Sequence, residues 1–183
     1  MLLGILLMIL QWAASLLTAL LLVRTVMRFQ RISFVSPLGQ FILATTNWAV
    51  VPLQRMLPGV GKLDLCSLIP AWLIQVLLAA IVTWAGSPLR VDPAWFTVAI
   101  LLGGTIGLAK AAILMLTWVV ILMAILSFVN PYSPFYGPLS AFTRPFLRPF
   151  QRVVPPIGGF DLSPLFLLLV LQIISFCLDF VHL

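Results

Sequence analysis

The chain contains one sequence block twice, at a constant offset of 97 residues. The offset aligns 13 identical residues, without a gap, over the 40 positions from Ser36 to Gln75. Self-similarity at a fixed period indicates a duplicated structural unit. We therefore predict two tandem repeats, residues 1–93 and 94–183. The most similar part is Arg-x-x-Pro-x-x-Gly-x-x-Asp, formed by Arg55, Pro58, Gly61 and Asp64 in the first copy and by Arg152, Pro155, Gly158 and Asp161 in the second.

The composition places both repeats in a membrane. Apolar residues make up 63% of the chain and charged residues 8%, whereas soluble domains have roughly 25% charged residues. Four apolar spans reach the length of about 20 residues that crosses a bilayer: Leu2 to Val23, Leu65 to Ala85, Leu108 to Val129 and Leu162 to Phe180. We predict an all-α, multi-spanning membrane protein with four transmembrane helices. The sequence leaves open whether Ala94 to Gly107 extends the third helix or forms a separate interfacial helix.

The basic residues predict the orientation. The chain has ten Lys and Arg but only four acidic residues, and eight of the ten lie between Arg24 and Lys62 or between Arg144 and Arg152. Short cytoplasmic loops of membrane proteins collect such residues, whereas nucleic-acid binding uses a basic face on a folded domain, so we predict no nucleic-acid partner. Four crossings put both stretches on the cytoplasmic side and both termini outside. The repeats are then parallel. We expect these basic residues to face headgroups or a partner: Arg24, Arg28, Arg31, Arg144 and Arg148.

Each repeat has a segment between its membrane helices that is predicted to lie at the interface. After Ser36-Pro37 the apolar residues follow the helical period, as in an amphipathic interfacial helix. In the second copy, arginines at 144, 148 and 152 alternate with phenylalanines, and Pro138, Pro145 and Pro149 are expected to break the segment into short turns. Two functions remain open: anchoring to anionic lipid headgroups, or docking of a cytoplasmic protein.

Three pairs of polar residues are candidates for function. Asp64 and Asp161 occupy N-cap positions; the alternative is that they pair across the pseudo-two-fold axis as a cation site. Each also has an arginine nine residues upstream, Arg55 or Arg152, which could neutralise it. Gln75 and Gln172 lie at matched depth, where a mid-membrane amide needs a partner or lines a permeation path. Counting 1.5 Å per residue from the cytoplasmic face, Lys110 and Asp179 are expected to meet as an ion pair near the external boundary, or to handle ions.

Other chemistry is not indicated by the residues. Cys66 and Cys177 are expected at opposite faces of the membrane and therefore unpaired. With a single histidine, His182, the chain has no metal-binding cluster, nucleophile and base, or phosphate-binding glycine loop. We predict a protein that is not an enzyme and has no cofactor. Gly103, Gly104 and Gly107 favour close packing of helices.

The doubled motif, the Ser-Pro before each interfacial segment, and Lys110 followed by the run from Trp118 to Ser127 resemble the YggT (YlmG) family. This resemblance implies a bacterial inner-membrane protein with two YggT repeats. Family members have been linked to osmotic or salt tolerance through ion uptake, to cell division and envelope organisation, and, in plastids, to haem attachment on a cytochrome b. We favour a membrane scaffold or assembly factor, with ion homeostasis as the alternative. A pore lined by only four helices would require a homo-oligomer.

Overall fold

The computed structural model describes residues 2–30, 35–56, 64–86, 93–130, 132–153 and 162–180. Regular secondary structure within these residues is entirely helical. The helices are α1 (Leu2–Phe29), α2 (Pro37–Met56), α3 (Leu65–Gly86), α4 (Pro93–Val129), α5 (Tyr136–Val153) and α6 (Ser163–Phe180). Four of them, α1, α3, α4 and α6, are long and apolar enough to cross a membrane. The predicted all-α, four-span fold is therefore confirmed.

The first membrane helices of the two repeats, α1 and α4, run in the same direction. Along α1, Thr18 contacts Gln75 and Arg28 contacts Asp64, so α1 and α3 are antiparallel. Along α4, Gly103 and Gly107 lie beside Ala79 and Gln75, respectively, so α4 is also antiparallel to α3. Parallel repeats require that equivalent helices run in the same direction. We call the end of the bundle that contains Arg28 and Asp64 the arginine end.

Helix α4 is a single helix of 37 residues, about 55 Å long at 1.5 Å per residue. It includes Ala94 to Gly107, which the sequence left unassigned, because no proline interrupts the helix after Pro93. The helix exceeds the roughly 30 Å of a hydrocarbon core. Lys110 lies near the midpoint of α4, and the apolar helix continues on both sides of it. The position of Lys110 near the external boundary of the membrane stays a prediction.

Helices α3 and α4 approach each other through glycines. A Cβ atom added to Gly104 would lie 2.8 Å from the Cα atom of Val76, and one added to Gly107 would lie 2.7 Å from Oε1 of Gln75. These distances are shorter than van der Waals contact, so a larger residue at either position would push the helices apart or displace Gln75. The predicted role of these glycines in close helix packing is confirmed.

Helix α5 is continuous, and the prediction that its prolines break it into short turns is wrong. Pro138 lies in the first turn, where a missing N–H removes no helical hydrogen bond. Pro145 and Pro149 lie inside the helix and leave the carbonyls of residues 141 and 145 without their usual donors. Ala141, Pro145 and Pro149 are all exposed on one face. The freed carbonyls therefore lie on the side of the helix that does not pack against the bundle, where the two prolines are tolerated.

Most of the buried apolar core lies toward the arginine end. The main cluster joins α1, α2, α4, α5 and α6 around Leu22, Val120, Phe142 and Leu167. A second cluster joins α1, α2 and α3 around Leu21, Val50, Cys66 and Ala71. The far half of α1 contributes little to either cluster, because most of its first 16 residues are exposed. The bundle is therefore densely packed at the arginine end and more open at the other.

Helix α2 presents different residues to the bundle and to its surroundings. Ile42, Thr46 and Val50 are buried against the bundle, whereas Phe41 and Trp48 are exposed. Thr46 thus faces the protein, and the two aromatic side chains face the surroundings of the bundle. Exposed aromatics of this kind suit a membrane interface, and the interfacial position of α2 stays a prediction.

Candidate functional site

Arg24 lies inside the arginine end of the bundle and not at its surface. Its guanidinium donates hydrogen bonds to Oγ1 of Thr46 at 2.7 Å and to Oδ1 of Asn47 at 2.9 Å. Thr46 in turn donates to the carbonyl of Ile42 at 2.6 Å. The expected contact of Arg24 with headgroups is replaced by this contact with α2. Burying a charged side chain requires hydrogen-bond partners, and α2 provides two of them.

Asp64 is a second buried polar residue at this end. It lies directly before α3, and its carbonyl accepts hydrogen bonds from the backbone N–H groups of Ser67 and Leu68. Its side chain accepts from Ser67 Oγ at 2.7 Å and forms an ion pair with Arg28 at 3.0 Å. The expected neutralising residue, Arg55, is exposed instead. Because Arg28 and Ser67 already contact the carboxylate, Asp64 fits a helix-capping role better than a cation site.

The two repeated glutamines have different surroundings. Gln75 is buried and donates through Nε2 to Oγ1 of Thr18 at 3.0 Å. Gln172 is exposed on α6, so the two amides do not pair within one chain. The repeat offset places Met115 where the first copy has Thr18. A thioether cannot accept a hydrogen bond as well as a hydroxyl does, which explains why the second copy does not reproduce this pair.

A crevice of about 480 Å³ with several polar side chains in its wall lies between α1, α3, α4 and α6, on the side of Gln75 that faces away from the arginine end. Gln11 and Ser15 line it from α1, Gln75 and Thr83 from α3, Lys110 from α4 and Ser175 from α6. Apolar residues complete its wall, among them Leu78, Val82 and Leu114. Its volume falls within the range of small-molecule sites, which also combine apolar walls with a few polar groups.

Lys110 forms an ion pair with Asp179 at the edge of this crevice. Their Nζ and Oδ1 atoms are 2.7 Å apart, and the side chains are 30% and 63% exposed, respectively. Lys110 lines the crevice, but Asp179 is not among its lining residues. Lys110 therefore lies at the boundary of the crevice, and its carboxylate partner lies beyond the lining residues. Residues 13 and 82, the equivalents in the first copy, are Ala and Val, so the pair occurs in one repeat.

The arginines of α5 form an exposed basic face, defined here as Arg144, Arg148 and Arg152. The opposite side of the helix buries Phe142, Thr143 and Leu147 in the bundle. The arginines are spaced by four residues, so they follow one another along one side of the helix. Although Phe146 remains partly exposed, Phe142 packs inside the protein and does not contribute to an exposed aromatic anchor.

Part of the repeated motif lies outside the described residues. The motif residues outside the described ranges are Pro58, Gly61, Pro155, Gly158 and Asp161. Arg31 and His182, which are not part of the motif, also lie outside these ranges. The two cysteines form no disulfide with each other. Within the described ranges, no group of three or more His, Cys, Asp or Glu side chains could hold a metal ion.

Several site residues were not found by sequence reasoning. The hydroxyl and amide partners of the buried groups, Thr18, Thr46, Asn47 and Ser67, were missed, as were Gln11, Ser15, Thr83 and Ser175 in the crevice. A signal existed on α1, where Gln11, Ser15 and Thr18 are spaced by four and three residues and therefore share one helix face. The partners on other helices had no comparable signal, because they depend on helix rotation.

The fold and these polar groups define a helical membrane protein made of two parallel repeats. The family model described as CCB3/YggT matches residues 3–85 and again residues 102–181. The chain therefore belongs to the CCB3/YggT family. It is 33% identical to "Uncharacterized protein YggT" of Escherichia coli over 159 residues, covering 86% of this chain and 80% of the relative. No solved structure matches the chain.

Two other relatives show similar coverage. "Uncharacterized protein PA0392" of Pseudomonas aeruginosa is 33% identical over 169 residues, covering 91% of this chain and 84% of the relative. "Uncharacterized protein in proC 3'region" of Vibrio alginolyticus is 36% identical over 147 residues, covering 80% of this chain and 78% of the relative. The match to both halves of the chain agrees with the internal repeat.

Proposed function

We propose that the protein is a non-enzymatic scaffold or assembly factor of the bacterial inner membrane, whose α5 basic face binds an acidic cytoplasmic protein. The observation that carries this proposal is the exposure of Arg144, Arg148 and Arg152 on a helix whose other side is fixed to the bundle. A row of guanidinium groups on a helix that is packed against the bundle suits the recognition of carboxylates, because each group can donate two parallel hydrogen bonds.

The spacing of the basic face supports a partner. Like charges four residues apart on a helix repel each other and destabilise it slightly. No acidic side chain occurs between Tyr136 and Val153 to offset this repulsion. An acidic surface opposite the arginines would remove it. The equivalent positions of α2 are Asn47, Val51 and Arg55, so α2 lacks such a row.

The packing of the bundle also favours a scaffold over a channel. Leu21 lies between Thr18 and Arg24 on α1, and Ala71 lies between Ser67 and Gln75 on α3. Both side chains are fully buried. They separate the polar crevice from the polar residues at the arginine end, so the described part of one chain offers no continuous polar route.

A photo-cross-linking amino acid at Ala141 tests the proposal in cells. Ala141 is exposed beside the basic face, and its repeat equivalent Ala44, exposed on α2, is the matched control. We expect a protein cross-link at residue 141 that is lost when Arg144, Arg148 and Arg152 are all changed to Gln, and none at residue 44. Cross-links to lipid alone, or a protein cross-link unaffected by the three substitutions, would contradict the proposal.

Ion homeostasis under osmotic or salt stress is the second candidate function. It is favoured by the crevice and by the ion pair of Lys110 with Asp179, because ionisable residues within membrane helices often belong to ion paths. A path would need an opening through the layer of Leu21 and Ala71, or a route between several copies of the chain. We therefore place this function second.

The proposed orientation has the arginine end in the cytoplasm and both termini in the periplasm. It is supported by the bias of arginines toward this end and by the common direction of α1 and α4. Cysteines placed at the exposed Arg55 and Arg152 test it, in a chain where Cys177 is changed to Ser. We expect an impermeant maleimide to label neither in intact spheroplasts and both after lysis. Labelling of only one before lysis would refute parallel insertion.

A further inference from the structure

The crevice combines one cation with several neutral hydrogen-bonding groups. Lys110 provides an ammonium with three N–H donors, of which Asp179 accepts one from outside the crevice wall. Hydroxyls of Ser15, Thr83 and Ser175 can donate further hydrogen bonds. No carboxylate is among the described lining residues. The polar part of this crevice therefore favours an anionic group.

The rest of the wall is apolar. Leu78 and Val82 lie on α3 and Leu114 on α4, together with small side chains such as Ala79 and Ala99. A small hydrated anion would leave these surfaces in contact with water, which is unfavourable. A molecule with an acidic head and a hydrocarbon part would match both kinds of surface.

The crevice is partly open to the outside of the bundle. Gln11 and Ser15 on α1 and Ser175 on α6 line it, and α1 and α6 pack against each other at most weakly along their described residues. Both helices are membrane spans by length and composition. A lipid-like molecule that reaches the crevice between these two spans would enter it from the side of the bundle.

We infer that the crevice binds an anionic amphiphile, with its phosphate or carboxylate on Lys110 and its hydrocarbon part along Leu78, Val82 and Leu114. Gln75 and the hydroxyls complete the polar end of the site. Asp179 is a positioning residue, because it holds the lysine side chain from outside. This inference concerns the opposite end of the bundle from the α5 basic face and does not rest on the proposed scaffold function.

Native mass spectrometry of the full chain, purified in a neutral detergent, tests this inference. The probes are dioleoyl phosphatidic acid, oleate and, as the zwitterionic control, dioleoyl phosphatidylcholine. We expect one molecule of an anionic probe to bind with high affinity per chain. Lys110→Met should bind the probe about tenfold more weakly, because the free energy of a hydrogen bond to a charged group corresponds to a change in affinity of about this size. Lys110→Arg should retain binding. Preference for phosphatidic acid or for oleate identifies the acidic group.

Two further variants separate this site from other lipid contacts. Ala99→Phe places a ring in the crevice without changing the charge, and we expect it to weaken binding as Lys110→Met does. The variant with Arg144, Arg148 and Arg152 changed to Gln should bind the probe normally. Equal binding by wild-type and Lys110→Met proteins that melt at the same temperature would overturn the inference. Loss of binding only in the arginine variant would overturn it as well.

Discussion

Arg28 and Asp64 form an ion pair with unequal exposure: the arginine side chain is 49% exposed and the aspartate 1%. Removing one partner of a buried pair is costly when the remaining charge stays buried. Loss of Asp64 leaves an arginine that water can reach, whereas loss of Arg28 leaves a buried carboxylate with Ser67 as its side-chain donor. The two substitutions should therefore have different effects.

We predict that Arg28→Met lowers the free energy of unfolding by about 3 kcal/mol, and that Asp64→Asn lowers it by about 1 kcal/mol because asparagine can still cap α3. The double variant should lose less than the sum of the single losses, since it removes the unpaired carboxylate. Unfolding by SDS, followed by circular dichroism in mixed micelles, measures these differences. A larger loss for Asp64→Asn than for Arg28→Met would contradict the argument.

At the scale of elements, the contact between α3 and α4 depends on the missing side chain of Gly104. A Cβ atom there would lie 2.8 Å from the backbone Cα atom of Val76. Backbone cannot move aside as a flexible side chain can, so the two helices would have to separate. Gly4 of α1 is the matched comparison, because a Cβ atom at that position would meet nothing within 4 Å.

We predict that Gly104→Ala lowers stability by about 1 to 3 kcal/mol, the usual cost of overpacking. Gly4→Ala should leave stability unchanged or raise it by up to about 1 kcal/mol, since alanine favours the helix. Thermal melting in one detergent compares the two. Similar melting temperatures for both variants would show that α3 and α4 are packed less closely than described.

At the scale of the whole molecule, the polar groups lie in two regions separated by an apolar layer. The crevice with Lys110 lies on one side, and Arg24 and Asp64 lie on the other. Leu21 and Ala71, both fully buried, lie between these regions. An ion in that layer would lose its hydration without gaining ligands. One chain should therefore not conduct ions.

We predict that liposomes containing the purified protein show the same potassium and sodium flux as empty liposomes, and that Lys110→Ala changes nothing. Valinomycin provides the positive control for potassium. Flux above that of empty liposomes would contradict the scaffold proposal and favour ion homeostasis. If Lys110→Ala lost this ion flux, Lys110 would lie on the ion path.

Some residues could be assigned correctly from sequence because the signal was local. Asp64 follows the turn motif and precedes an apolar run, which predicts a helix start, and α3 begins at Leu65. Gly103, Gly104 and Gly107 predicted close packing by their spacing on one helix. The prediction that the prolines break α5 into short turns was wrong because their effect depends on which face of the helix is exposed. Packing against the bundle sets that face.

The sequence by itself determined the four membrane spans, the repeat and its parallel direction, because apolar length and repeated residues act locally along the chain. The sequence also predicted the ion pair of Lys110 with Asp179, which the structure confirms, but the other contacts between polar groups were decided by tertiary structure. Arg24 bonds Thr46 and Gln75 bonds Thr18 across helices, and the crevice forms between α1, α3, α4 and α6. These contacts depend on the rotation and relative shift of neighbouring helices. Both follow from the packing of many apolar side chains at once, which no single stretch of sequence specifies.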